Sequence, residues 1–269
     1  MIDARPGRLR RVVALLGVHY DEMLEYRAEL VLWMLSGSLP LILMGVWMQT
    51  AASRPMALQP IDFARYFIVL WLVRQATAVW VIYNFEAAVV EGRLSQRLLQ
   101  PIDPGWHDFT EHVAERLARL PFLVALVGLF ALLYPEAVWL PRPAALATGL
   151  ALTAGAFMTR FAVQYTLAMV AFWSERASAL QQLWFLFYIF LSGLMAPLTL
   201  FPPSVRTFAE LTPFPYLVYM PTAAFLDSPA FPVDVGRAAL VLTGWFVCFA
   251  VLNRWLWRRG LRRYSGMGA

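Results

Sequence analysis

The sequence predicts an all-α integral membrane protein with about six transmembrane helices. Two observations support this. Of the 269 residues, 60% are hydrophobic and only 14% are charged, whereas soluble domains contain about 45–50% apolar and about 25% charged residues. The excess is arranged in long apolar runs, and a helix needs about 20 such residues to cross a bilayer. Most of the chain should therefore be surrounded by lipid.

Six apolar runs define the predicted membrane spans. They lie at about residues 30–49, 63–85, 117–138, 144–172, 180–200 and 238–257. Residues 1–28 have apolar side chains at helical spacing and charges on the opposite face, which predicts an amphipathic helix in the membrane interface. Residues 29–258 then form one transmembrane domain, and residues 259–269 form a basic tail. Residues 201–236 are too apolar for a free loop, and we interpret them as two short re-entrant helices.

Arginine placement predicts the orientation. With the N-terminus inside, fifteen arginines fall in inner segments and five in outer segments. Because inner segments are enriched in positive residues, we expect both termini in the cytoplasm. The chain contains no lysine, so it cannot carry the phosphate-binding loop G-x-x-x-x-G-K-[ST]. We therefore expect no ATP-hydrolysing site on this chain.

The loop after the second span, residues 86–104, carries the most information. Gly92 permits a sharp bend, and Pro101 should end the short helix that follows. The helix has an apolar stripe and two basic positions one turn apart: Leu94, Leu98 and Ile102, with Arg93 and Arg97. Such a helix can insert into a groove on a cytoplasmic partner. The alternative is an interfacial helix whose arginines reach the headgroups.

This loop resembles a known family. The run of Glu91-Gly92, then Leu98-Leu99, then Pro101 resembles the signature of ABC-2 type permeases, the membrane subunits of a class of ATP-driven exporters. The full string E-G-R-L-S-x-R-L-L-x-P-I-D-P at residues 91–104 resembles that of a small six-span bacterial subfamily. Residues 211–221 resemble the region that follows the fifth span in that family. The ATPase-coupling residues that the resemblance implies are Glu91, Gly92, Arg93, Leu94, Arg97, Leu98, Leu99 and Pro101.

The resemblance also implies partners and a location. Two permease subunits, either two copies of this chain or this chain and a paralogue, would form the translocation pathway. Separate ABC ATPase subunits would bind ATP and Mg²⁺, so we expect no cofactor on this chain and no nucleic-acid partner. The expected location is the inner (plasma) membrane of a bacterium, with several crossings of the lipid bilayer.

Two arginines, Arg74 and Arg160, fall near the middle of predicted spans, and no acid lies at comparable depth. A charge at the bilayer centre costs about 2.5–3.5 kcal/mol on insertion scales, so neither side chain should face lipid. In the fourth span, Gly149, Thr153, Arg160 and Gln164 form a polar stripe. Arg74, Arg160 and Gln164 are thus candidates for an anion-attracting translocation path. The alternative is a structural role, with the arginines bonded to carbonyls or polar side chains of adjacent helices.

Three further residues and two histidines complete the candidate sites. Ser192, Gly193 and Pro197 in the fifth span allow close helix contact or a kink, and the resemblance makes them subunit-interface candidates. His107 and His112 are five residues apart and lie on different sides of a helix, unlike the i, i+4 pair of zinc proteases. We therefore expect neither a metal site nor catalytic residues.

Three functions remain open at this point. The first is the permease subunit of an ATP-driven exporter, the second a secondary carrier or channel, and the third a membrane-embedded enzyme acting on lipid. Coupled carriers usually place acids within their spans, and lipid enzymes need clustered acids, histidines or metal ligands. Neither pattern is visible in the sequence. A neighbouring ATPase reading frame would favour the first function.

Overall fold

The computed structural model describes residues 8–264, so the outermost parts of the predicted amphipathic segment and basic tail lie outside the described residues. The fold is all-helical, with 80% helix, and the described residues contain no β-strand. Their α-helices are α1 (Arg8–Glu25), α2 (Arg27–Ser36), α3 (Leu39–Ser53), α4 (Pro60–Thr77), α5 (Val81–Val90), α6 (Leu94–Leu98), α7 (Pro104–Leu133), α8 (Pro143–Ala168), α9 (Ser178–Leu191), α10 (Pro203–Glu210), α11 (Phe214–Leu217), α12 (Tyr219–Leu226) and α13 (Val235–Arg263).

Five segments of the described chain are long and apolar enough to cross a membrane. They are Ala28–Ser53, Pro60–Val90, Pro104–Leu133, Pro143–Phe172 and Val235–Arg263. These segments overlap the predicted first, second, third, fourth and sixth spans, so the multi-pass membrane character is confirmed. The helix at the predicted fifth span, α9, has 14 residues and a length of about 21 Å, shorter than the ~30 Å hydrocarbon layer. Six crossings therefore remain a prediction.

The continuous helix predicted over residues 180–200 is interrupted after Leu191. Gly193 has a φ of 89°, a left-handed conformation that glycine adopts without steric cost. Its carbonyl accepts a hydrogen bond of 2.8 Å from the hydroxyl of Tyr66. A Cβ atom at this glycine would lie 2.7 Å from the same hydroxyl. The chain thus leaves the helix at the residue that contacts Tyr66 of α4.

Two of the long segments are not continuous helices. The first breaks between α2 and α3 at Gly37 and Ser38. Pro40, the second residue of α3, cannot donate a backbone hydrogen bond across this break. The second breaks between α4 and α5 at residues 78–80, where Ala78 has the extended conformation φ −61°, ψ 136°. A break leaves helix carbonyls without their intrahelical partners, so each break needs donors from elsewhere.

Residues 201–236 form three short helices, α10, α11 and α12, rather than the predicted two. The segment from Tyr216 to Tyr219 is almost completely buried, and α12 packs against α8 and α4. This packing agrees with a segment too apolar for a free loop, and its depth in the membrane remains a prediction.

One end of the bundle, which we call the loop end, brings together α1, residues 91–103, the start of α7 and the end of α13. Arg11 donates a 2.9 Å hydrogen bond to the carbonyl of Pro101, and the hydroxyls of Ser95 and Tyr264 lie 3.1 Å apart. The helix α7 has 30 residues and a length of about 45 Å. Since the hydrocarbon layer takes up about 30 Å, α7 is longer than the layer by about 15 Å, or about ten residues. We expect its charged start, residues 104–113, to project beyond the layer at the loop end.

Candidate functional site

The chain turns sharply at Gly92 in the loop after the second long segment. This glycine has a φ of 74°, which agrees with the predicted bend. The five-residue helix α6 follows from Leu94 to Leu98, and Pro101 stands beyond its end. The loop therefore presents a short helix at the loop end of the bundle.

The leucines of this loop face in different directions. Leu94 is 0% exposed, whereas Leu98 is 38% exposed and Leu99 is 88% exposed. Because α6 ends at Leu98, Ile102 does not continue its face. The predicted stripe of Leu94, Leu98 and Ile102 is therefore wrong as a single surface: Leu94 anchors the helix to the protein, and Leu98 and Leu99 form its outward apolar tip.

An ion pair holds α6 against α7. The Nη1 atom of Arg97 lies 2.8 Å from Oδ1 of Asp108, whose side chain is only 1% exposed. Burial raises the pKa of Asp108 to about 6, against the opposing effect of Arg97. The loop also has a pair between Arg93 and Glu91 at 2.6 Å, with more than half of each side chain exposed. Exposed pairs contribute little to stability, so Arg97 and Asp108 fix the position of the helix.

Two side chains of α7 bind the backbone where α4 and α5 separate. The amide of Trp80 donates a 2.9 Å hydrogen bond to Nε2 of His112, and Nδ1 of His112 lies 2.7 Å from the carbonyl of Asp108. Burial lowers the pKa of His112 to about 3, so the ring is neutral, accepts at Nε2 and donates from Nδ1. Arg116 donates to the carbonyls of Ala76, at 2.6 Å, and Ala78. In the sequence, His112 was considered only as a possible metal ligand, and its contact with the backbone of Trp80 was not predicted.

The break between α2 and α3 is bound in the same way by α4. Arg74 donates a 2.9 Å hydrogen bond to the carbonyl of Gly37, and Gln75 donates one of 3.2 Å to the carbonyl of Met34. These contacts support the structural alternative for Arg74, because its guanidinium binds a carbonyl that the helix leaves free.

The second intramembrane arginine, Arg160, contacts α9. It is buried and donates a 3.1 Å hydrogen bond to the hydroxyl of Tyr188, and its guanidinium carbon lies 4.6 Å from the centre of the tyrosine ring. Arg74 lies close enough to both residues to interact electrostatically, so the fold brings the two arginines together. The Nε atom of Arg160 is buried and has no hydrogen-bond partner among the described residues. Gln164 instead pairs with Gln181 at 2.5 Å.

The subunit-interface candidates lie inside the subunit. Ser192, Gly193 and Pro197 are all buried, and Gly193 is in contact with Tyr66. The outward face of α9 is formed by large apolar side chains: Leu183, Phe185, Leu186, Phe187 and Phe190. A second subunit can reach these residues rather than the three candidates.

Over residues 8–264, no group of three or more His, Cys, Asp or Glu side chains is arranged to hold a metal ion.

Comparison with known proteins identifies the family. A comparison with curated proteins finds no match. A family model described as "ABC-2 family transporter protein" matches residues 58–268, which include the loop at Gly92 and all the long segments except the first. This agrees with the resemblance seen in the sequence, and the chain belongs to the ABC-2 family of transporter permeases.

Proposed function

We propose that the chain is the membrane subunit of an ATP-driven exporter in a bacterial inner membrane, and that a separate ABC ATPase docks on residues 91–101. Family membership supports a membrane permease of an ABC transporter. In the proposed complex, both termini and the loop end face the cytoplasm, and ATP and Mg²⁺ bind to the ATPase. The ATPase uses the free energy of ATP hydrolysis to drive alternating access of the permease.

The exposed tip of α6 supports the docking proposal. Leu99 is 88% exposed although it lies at the aqueous end of the bundle, and Leu98 lies beside it. Burying a leucine side chain is worth about 1.5–3 kcal/mol. Since 1.4 kcal/mol corresponds to a tenfold change in affinity, a groove that buries Leu99 would bind about tenfold or more tightly because of this residue. The buried Leu94 and the Arg97–Asp108 pair hold the tip in place.

Co-purification with the cognate ATPase tests this docking. The substitution Leu99→Asp should lower ATPase binding at least tenfold, because it places a charge where the groove is apolar. Leu140→Asp is the matched control, since Leu140 is a 94% exposed leucine in the connection between α7 and α8, outside residues 91–101, and this variant should bind the ATPase nearly as well as the wild type. Equal binding by both variants would refute docking at this tip.

A second permease subunit, a copy of this chain or a paralogue, is proposed to pack against the outward face of α9. Its exposed phenylalanines and leucines match the apolar surface that a membrane-embedded partner would cover. Cys248 is the single cysteine of the chain, so Cys248→Ser followed by Phe187→Cys gives one probe on this face. Disulfide cross-linking in membranes should yield a dimer for Phe187→Cys and not for a cysteine at the exposed Leu146 of α8.

Arg160 is proposed as the contact for an anionic group of the cargo. A buried cation with an unpartnered Nε and no carboxylate contact among the described residues supports this role. Arg160→Gln should reduce transport of such a cargo while the purified protein keeps its elution profile and thermal stability. Unchanged transport by a folded Arg160→Gln variant would leave only the structural role of the Tyr188 contact.

Reconstitution separates the proposal from the carrier, channel and lipid-enzyme alternatives. Liposomes with the permease and its ATPase should transport only when ATP and Mg²⁺ are present. Transport by this chain alone, driven by an ion gradient, would instead identify a secondary carrier.

A further inference from the structure

A cavity of about 580 Å³ lies at the loop end between α1, α2, α5 and α7. Its size falls in the range of small-molecule sites. The two helix breaks adjoin it, because Trp33 precedes the first break and Trp80 ends the second. The residues that line it include Glu22, Glu29, Glu111, Glu115, Trp33 and Trp80.

The charged side chains of this lining are all acidic. Glu111 accepts a 2.9 Å hydrogen bond from the amide of Asn84 and has no ion-pair partner among the described residues. Glu22 lies 3.4 Å from His19, and Glu115 pairs with Arg119. Burial and then the nearby carboxylates, led by Asp108, raise the pKa of Glu111 to about 7. The cavity therefore has an excess of negative potential that a bound cation would relieve.

Aromatic rings form the other walls. The rings of Trp33 and Trp80 lie 6.0 Å apart at an angle of 45°, and both side chains, like that of Tyr83, are partly exposed. The face of an aromatic ring attracts a cation within about 6 Å, most strongly for tryptophan. Met23 and Leu30 add an apolar surface. Carboxylates, ring faces and aliphatic side chains together match an organic ammonium or phosphonium ion with apolar substituents.

We propose that this cavity binds a hydrophobic organic cation. An anion is disfavoured because Glu22, Glu29 and Glu111 have no arginine ion-pair partner among the described residues, and an inorganic cation would make no use of the aromatic walls. The ammonium group can come from a free amphiphile or from the headgroup of a lipid such as phosphatidylethanolamine. The binding requires no ATPase and goes beyond the export function proposed above.

Equilibrium binding to the full chain in nanodiscs of phosphatidylglycerol tests the proposal. The probe is radiolabelled tetraphenylphosphonium, with binding to empty nanodiscs subtracted. Tetraphenylborate has the same shape and the opposite charge, so in separate samples without tetraphenylphosphonium it should show no saturable binding to the cavity. The double substitution Glu29→Gln and Glu111→Gln should weaken tetraphenylphosphonium binding at least tenfold, whereas Glu175→Gln, at an exposed site away from the cavity, should leave it unchanged.

A second variant keeps the test valid if the double substitution impairs folding. Trp80→Leu preserves the backbone amide that binds His112 and removes one ring, so it should weaken binding several-fold. Trp173→Leu is the control, because Trp173 and Trp80 are both 38% exposed.

Adding phosphatidylethanolamine to the nanodiscs distinguishes the two sources of the ammonium group. It should lower the apparent affinity for tetraphenylphosphonium if the lipid headgroup is the occupant, and leave that affinity unchanged if a free amphiphile is. Equal binding by wild type and by the folded cavity variants, or saturable binding of tetraphenylborate with similar affinity, would overturn the proposal.

Discussion

The contact between Arg116 and the break at residues 78–80 leads to a quantitative prediction. In Arg116→Gln, the short amide cannot replace the guanidinium that donates to the carbonyls of Ala76 and Ala78. Each buried carbonyl left without a partner costs about 1–3 kcal/mol. The cation–π contact with Phe157, now at 4.0 Å from the ring centre, is lost as well. The free energy of unfolding should therefore fall by at least about 2 kcal/mol.

Thermal unfolding of the purified protein measures this effect. For a chain of this length, 1 kcal/mol shifts the midpoint by about 2–4 °C, so Arg116→Gln should lower it by at least about 4 °C. Arg116→Lys retains the charge and the contact with Phe157 but cannot bind two carbonyls through a planar fork, and it should fall between wild type and Arg116→Gln. The control is Arg93→Gln, which removes only an exposed ion pair. A midpoint for Arg116→Gln within about 1 °C of wild type would refute the reasoning.

Three further predictions concern other parts of the molecule. Gly193→Ala should lower the unfolding midpoint by several degrees, because φ is 89° and the Cβ atom has no space, whereas Gly45→Ala, where a Cβ atom meets nothing within 4 Å, should be neutral or stabilising. Asp108→Asn should speed hydrogen exchange of α6 by removing the charge that holds Arg97, and unchanged exchange would contradict this. Tetraphenylphosphonium binding should strengthen as the pH rises through about 7, where Glu111 ionises, and Glu111→Gln should abolish this dependence.

The last of these predictions depends on the charges around Glu111. The groups that act on its carboxyl are Glu22 of α1, Arg97 of α6, and Asp108 and Glu115 of α7. All of them except Arg97 are acidic, so they keep the proton on Glu111 to a higher pH than in a free glutamate. A pH profile that is identical in wild type and Glu111→Gln would assign the titration to another of these groups.

The sequence was sufficient to predict the long apolar segments and the bend in the loop. Runs of about 20 apolar residues can satisfy their backbone in lipid only as helices, and Gly92 was recognisable because glycine is the residue that adopts a positive φ at low cost. The early end of α9 was harder to predict from the sequence. Gly193 was recognised as a possible kink, but the hydroxyl of Tyr66 that occupies the space beside it comes from a residue 127 positions away.

The break between α4 and α5 could not be predicted from its own residues. Ala78, Val79 and Trp80 are apolar and contain neither glycine nor proline, so local preference would continue the helix. Two residues of α7 replace the helical hydrogen bonds. Arg116 supplies the donors and His112 supplies the acceptor. The spacing of these two residues, four positions apart on one helix face, was the signal available in the sequence.

The unbroken α7 has a mechanical consequence. Its His112 and Arg116 side chains bind the backbone of the second long segment at the break between α4 and α5, residues 78–80. Because the Arg97–Asp108 pair links α6 to α7, a force applied to the tip at Leu99 would act on α7 and, through Gly92, on α5. Of these two helices, only α5 adjoins a helix break, so α5 is the one that can tilt relative to α4. Side-chain hydrogen bonds can be exchanged one at a time during such a tilt, so α4 can stay packed while α5 changes its angle.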